Sequence, residues 1–74
     1  MTKLRGERVM NPLSPQEIRV LVFIAEGYTT VQIARKMKLG EQTVRNHVEH
    51  MRHKLSAPNR PAAIATAFRR GILT

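Results

Sequence analysis

Residues Thr29 to Leu55 read TTVQIARKMKLGEQTVRNHVEHMRHKL. The stretch opens on Thr29-Thr30-Val31-Gln32, a capping box: the threonine hydroxyl accepts from the third helical amide and the glutamine reaches back to the cap. A short helix follows, carrying Ile33, Ala34 and Met37. Lys38-Leu39-Gly40 interrupts it, and Gly40 is an N-cap poorer than Ser by a few tenths of a kcal/mol. From about Glu41 to Leu55, the residues Val44, Val48, Met51 and Leu55 recur at spacings of four, three and four, one buried stripe of a longer helix. So short a turn sets the two helices at a steep angle, as in a helix-turn-helix, instead of side by side. Ile33 and Met37 then face inward, Ala34 is small where the helices cross, and Leu39 plugs the turn against Val44 and Val48. The competing reading is an ordinary helical hairpin in a small bundle.

The flanks carry the same punctuation. Ser14-Pro15-Gln16-Glu17 is a second capping box, with Pro15 at the first helical position and Leu13 and Ile18 as a hydrophobic staple. The helix it opens passes through Leu21, Ile24 and Ala25 and ends at Gly27. After Leu55, Ser56-Ala57-Pro58-Asn59 breaks the chain. Asn59 caps a fourth helix, Arg60 to Arg70, ended by Gly71. No segment alternates with period two long enough to be a strand. The expected class is all-α, a compact four-helix domain containing a helix-turn-helix over residues 13–74. Residues 1–12, with Lys3, Arg5 and Arg8, read as a flexible basic arm.

The chain has 74 residues, enough for one small domain. Thirteen Lys and Arg against five Glu give a net charge of +8, which points to a polyanion partner, nucleic acid before an anionic membrane surface. One Tyr and two Phe are too few for a single-strand binder that stacks bases on aromatic platforms. With no Cys there is neither a disulfide framework nor a thiolate metal site, which fits a cytoplasmic setting. The longest apolar run, Val20 to Ala25, is far short of the roughly 18 residues that span a bilayer. No nucleophile–base pair or phosphate loop is present, so no enzyme and no cofactor is expected.

The ordered set Leu13-Ser14-x-x-Glu17, Val20-Leu21, Ile24-Ala25-x-Gly27, Ile33-Ala34, Thr43-Val44-Arg45-x-His47, Lys54-Leu55, Asn59-Arg60, Ala63 and Gly71-Ile72-Leu73 resembles the LuxR-type (GerE-type) DNA-binding domain. The resemblance implies a transcriptional regulator that binds double-stranded DNA as a dimer. The third helix would enter the major groove and the fourth would form the dimer contact, with the transcription machinery as a further partner. The sequence departs from the usual pattern at Gln16, Arg19, Gly40 and Glu49. Relatives are often basic where Glu49 stands, so a different base preference is expected. The alternatives are a nonspecific nucleic-acid-binding accessory module, or the isolated output domain of a longer response regulator.

On a helix beginning at Glu41, the residues opposite the buried stripe include Gln42, Arg45, Asn46 and Glu49. These are the candidate base contacts, because the N-terminal half of a recognition helix sits deepest in the groove. Arg pairs bidentately with guanine, Asn with adenine, and Glu accepts from cytosine N4. Arg45 alternatively meets phosphate. Glu49 alternatively repels phosphate, or pairs along the helix with Arg45 or Arg52. Candidate phosphate contacts are Thr29, Thr30 and Thr43 at helix N-termini, with His47, Lys36, Lys38 and Arg52; Arg35 adds cationic reach. Lys54 and Arg60 are expected to pair with Glu17, since the family keeps all three positions. His47, His50 and His53 drift around the helix in steps of three, which argues against a metal. On the fourth helix, Ala63, Ile64, Ala67 and Phe68 are expected to face the bundle. Ala62, Ala65, Thr66 and Arg69 form the candidate dimer interface. Val22 is surplus to a single buried stripe and marks either a partner surface or a deeply buried first helix.

Overall fold

The computed structural model describes residues 12–74 and contains four α-helices: α1 (Pro15–Ala25), α2 (Thr30–Met37), α3 (Glu41–Lys54) and α4 (Arg60–Arg69). No strand occurs among the described residues. The basic arm expected over residues 1–12 lies outside the described residues, except for the exposed Pro12.

Both capping boxes form as the sequence predicts. Ser14 Oγ accepts from the Glu17 amide at 3.1 Å, and Glu17 Oε1 accepts from the Ser14 amide at 2.9 Å. At α2 the Gln32 amide donates to Thr29 Oγ1 at 3.2 Å, and the Thr29 amide to Gln32 Oε1 at 2.9 Å. Asn59 caps α4 by accepting from the Ala62 amide. Gly40 caps α3 with no side-chain bond.

All four helices end in one motif. Tyr28 donates to the Phe23 carbonyl, Leu39 to Ala34, Ala57 to Arg52 and Ile72 to Ala67. In each case the preceding residue has positive φ and bonds the carbonyl three back: Gly27 to Ile24, Lys38 to Arg35, Ser56 to His53, Gly71 to Phe68. This double bond pattern satisfies carbonyls that a helix end would leave bare. It also turns the chain sharply, so the connections stay short.

The core is built where the helical stripes converge. Val20 and Leu21 of α1, Ile33 of α2, and Val44, Met51 and Leu55 on or just beyond α3 are fully buried. Helix α3 is the central element, packing on all three others, most extensively on α1 and α2. Met37 and Leu39 are half-buried against this cluster and close the turn between α2 and α3. Helix α4 approaches through small residues. Ala63 and Ala67 have no exposed surface, and Thr66 is 8% exposed.

That contact corrects part of the expectation for α4. Phe68, expected to face the bundle, is 51% exposed, while Thr66, expected on the outer face, is buried. Ala63 and Ala67 define the contact line one turn apart. Thr66 sits beside that line, and Phe68 lies about 100° beyond Ala67. Ile64 remains half-buried against the core.

Among the described residues one carboxylate is buried, that of Glu17, at 4% exposure. Its Oε1 receives Lys54 Nζ from the end of α3 at 2.9 Å as well as the Ser14 amide. Burial pushes this carboxyl up. The Lys54 bond and the Ser14 backbone bond pull it down further, leaving its pKa below the ordinary 4.5. The expected partnership is thus half realised. Lys54 pairs with Glu17, whereas the Arg60 guanidinium donates to Thr30 Oγ1 at 3.4 Å.

Candidate nucleic-acid interface

The stripe Val44, Val48, Met51 fixes the rotation of α3, and the opposite face is left to solvent. Gln42, Arg45, Asn46, Glu49, His50 and His53 are all exposed. These side chains are arranged by contacts along the helix. Gln42 Nε2 donates to Asn46 Oδ1 at 3.1 Å, joining two of the candidate base readers one turn apart. Arg45 lies 3.5 Å from Glu41 in an ion pair whose two side chains are about half exposed. Such a pair contributes at most about 1 kcal/mol, so it holds Arg45 only weakly.

Glu49 and Arg52 are held more firmly. Arg52 donates to both carboxylate oxygens, at 2.6 and 3.5 Å, and through its third nitrogen to the Ala57 carbonyl at 2.9 Å. His53 Nε2 is 3.9 Å from the same Glu49 oxygen. The Arg52 hydrogen bond is the main reason the Glu49 carboxyl lies below its ordinary value, and the same bond raises Arg52. The pair with Arg52 is therefore the partnership Glu49 adopts, while Arg45 turns to Glu41.

The candidate backbone contacts are spread over both helices of the motif. Thr29 is exposed at the α2 N-terminus, Thr30 is half-buried and held by Arg60, and Thr43 is exposed in the first turn of α3. Lys36 and Lys38 are exposed, and His47 is half-buried. Lys36 Nζ sits 5.0 Å over the Tyr28 ring, which in turn stacks on Phe23 at 5.3 Å. A cation–π contact of this kind steadies a long side chain at little cost to its charge. Nothing in the sequence signals that the Tyr28 ring would support a lysine eight residues on. Among the described residues, no group of three or more His or Glu side chains is placed to hold a metal ion.

The candidate dimer residues are not all open to solvent. Ala65 and Arg69 are exposed, Ala62 is half-buried, and Thr66 is buried with its Oγ1 accepting from Arg69 at 3.2 Å. Val22, 36% exposed, lies with Ala25, Glu26, Phe68 and Ile72 along a groove between α1 and the C-terminal end of the chain. Of its two sequence readings, the deeply buried one does not hold.

A short helix, a tight left-handed turn and a longer helix with a polar outer face define a helix-turn-helix DNA-binding domain. The chain matches the family described as bacterial regulatory proteins, luxR family, over residues 11–67, and it belongs to that family. It is 40% identical over 57 residues to the nitrate/nitrite response regulator protein NarL of Escherichia coli, covering 77% of this chain and 26% of that protein. It is 33% identical to the regulatory protein SdiA of the same species, covering 99% of this chain and 32% of SdiA. The chain thus spans about a quarter to a third of these relatives. Among solved structures, the transcription factor GerE superposes with a TM-score of 0.81 at 32% identity, covering 84% of this chain and 92% of that one. The response regulator ChrA of a heme-sensing two-component system gives 0.79 at 36% identity, covering 90% of this chain and 35% of that one. The chain is accordingly a LuxR-type DNA-binding domain of a transcription-regulator family, which is not an enzyme family. No helix among the described residues is long and apolar enough to cross a membrane.

Proposed function

We propose that this domain binds double-stranded DNA sequence-specifically, with α3 in the major groove, and pairs through α4 on an inverted repeat. The carrying observation is the outer face of α3. Gln42, Arg45, Asn46 and Glu49 stand exposed there on a rigid helix, in a chain of net charge +8. In this reading those four meet base edges, while Thr29, Thr30, Thr43, His47, Lys36 and Lys38 hold the phosphate backbone. The DNA-binding assignment of the family and the similarity to the regulators NarL and SdiA support it.

A single α3 reads too few base pairs to select one site among ~10⁶ competitors, and two copies on a two-fold axis double the readout. Ala65 and Arg69, with the half-buried Ala62, are the part of the α4 face open to a second copy. So small a face buries well under the ~1,200 Å² of a stable interface, so the pairing assembles on DNA.

The test has two arms. A duplex obtained by binding-site selection is challenged with unrelated DNA at moderate salt. A specific regulator stays bound, whereas an accessory module is stripped. Sedimentation with and without that duplex then measures stoichiometry. Two domains per inverted repeat, with cooperativity lost in Ala65→Glu, support pairing through α4. Undiminished cooperativity in Ala65→Glu assigns the pairing to another surface.

A further inference from the structure

We infer that Arg52 is a positioning residue for sequence readout: it aims the Glu49 carboxylate at a cytosine amino group in the groove, and it is not a phosphate contact. The inference rests on the reading of α3 as the helix that enters the groove.

The geometry is that of a clamp with a fixed end. Arg52 Nη1 donates to the carbonyl of Ala57, a residue only 6% exposed. The Ala57 amide in turn donates to the Arg52 carbonyl at 2.9 Å, in the bond that closes the end of α3. Arg52 is therefore tied to the α3 terminus twice, once by its backbone and once by its guanidinium. From that anchor Nε and Nη2 reach one oxygen each of Glu49. The planar fork suits a carboxylate, which Lys at the same position does not match.

Burial separates the two partners. The Arg52 side chain is 22% exposed and the Glu49 side chain 55% exposed, so the cation lies behind the anion. An outward cation would be a phosphate contact. Here the outward group is the carboxylate, and each nitrogen of the cation already makes one hydrogen bond within the chain, three of its five N–H donors. Each carboxylate oxygen accepts two hydrogen bonds and spends one on Arg52. The Glu49 side chain is 55% exposed, and besides Arg52 only His53 Nε2, at 3.9 Å from Oε1, stands near it among the described residues, so acceptor capacity remains. Of the two amino donors in the major groove, cytosine N4 and adenine N6, a carboxylate favours cytosine N4, because adenine sets the acceptor N7 beside its amino group. Arg52 also solves the charge problem, because a bare carboxylate near DNA is repelled by phosphate and a neutralised one is tolerated.

Binding-site selection and salt titration of wild type, Glu49→Gln, Arg52→Ala, Arg52→Lys and the Glu49→Gln/Arg52→Ala double variant test this. Wild type is expected to prefer cytosine, by about tenfold, at one position of the half-site. Glu49→Gln and Arg52→Ala should lose preference at that same position and nowhere else. The double variant should lose no more than either single one, and Arg52→Lys should restore only part of the preference. The log–log salt slope should stay unchanged in Arg52→Ala, since no phosphate contact is lost. Thermal melts monitor the α3 terminus, and Glu49→Gln, which leaves the Ala57 anchor in place, tests the readout if Arg52→Ala unfolds. A slope reduced by about 0.9 with an unchanged motif in Arg52→Ala overturns the inference and makes Arg52 a phosphate contact. An unchanged motif in Glu49→Gln overturns it while leaving the DNA-binding reading intact. Absence of any motif in wild type removes that underlying reading as well.

Discussion

At the ends of α1 and α4 the left-handed residue is Gly27 or Gly71; at the ends of α2 and α3 it is Lys38, with φ 58°, or Ser56, with φ 54°. The hydrogen bonds are the same in all four places, yet the chemistry differs by region. The outer helices stop on residues with no Cβ to clash. The two helices of the DNA-binding motif stop on residues that accept about 1–2 kcal/mol of backbone strain each. What the motif gains is side chains at its bends: a lysine between α2 and α3, beside the proposed DNA surface. Strained non-glycine residues concentrate where a fold works, and here they bracket α3.

Removing the glycines should have the largest effect. Gly27→Ala and Gly71→Ala introduce a Cβ that meets nothing within 4 Å, so the cost is purely that of the backbone. Each should destabilise by about 1–2 kcal/mol, a fall in melting temperature of about 4–8 °C per kcal/mol for a domain this size. Unchanged melting temperatures would mean that the outer ends relax and that the contrast is not energetic.

Helix beginnings differ as well. The α1 start is reinforced across the fold by Lys54, whereas α3 starts on bare Gly40. Glu17→Ala should cost about 1 kcal/mol through the lost cap bond and the lost partner for Lys54. The sign of its pH dependence follows from the lowered folded pKa. Glu17 binds its proton less readily when folded than unfolded. Its contribution is therefore full above the ordinary 4.5 and fades as pH falls through the lower folded value. Acid unfolding of Glu17→Gln should lack that component, which a denaturation series between neutral and acid pH will show.

The reverse substitutions sharpen the contrast from the other side. Lys38→Gly and Ser56→Gly relieve left-handed strain and should each raise stability by up to about 1 kcal/mol, the gain being trimmed by the extra freedom glycine has when unfolded. Lys38→Gly should at the same time reduce the salt slope of DNA binding by about 0.9, separating the stability role of the bend from its proposed phosphate contact. Smallest of all, Gly40→Ser should add a few tenths of a kcal/mol by supplying the missing cap bond. Its φ is ordinary, and a Cβ there comes no nearer than 4.0 Å to Thr43 Oγ1.

The same contrast explains what the sequence made legible. Ser14, Thr29 and Asn59 announced three helix starts through cap chemistry, and Gly27 and Gly71 announced two ends. Ends at Lys38 and Ser56 carry no such residue; the interruption of the apolar stripe and the neighbouring Gly40 and Pro58 placed those breaks instead. On α3 the periodicity of Val44, Val48 and Met51 was enough to set which side chains face out. It could not set how those side chains pair, because Arg45 and Arg52 both stand within reach of a glutamate along the helix. Only the fold brings Ala57 back onto Arg52. On α4, where almost every position is small or apolar, periodicity alone could not choose the face, and so Thr66 and Phe68 changed places.

Helix α3, not the apolar groove of α1 and α4, is the surface proposed to meet DNA. Amide chemical-shift mapping of the isotope-labelled domain, titrated with a duplex from binding-site selection, tests it most directly. The largest shifts should fall on residues 41–49 of α3 and on Thr29 and Thr30, with a second, smaller set near Ala65 as the two copies meet. Shifts centred on Val22, Phe68 and Ile72, with α3 unmoved, would contradict it.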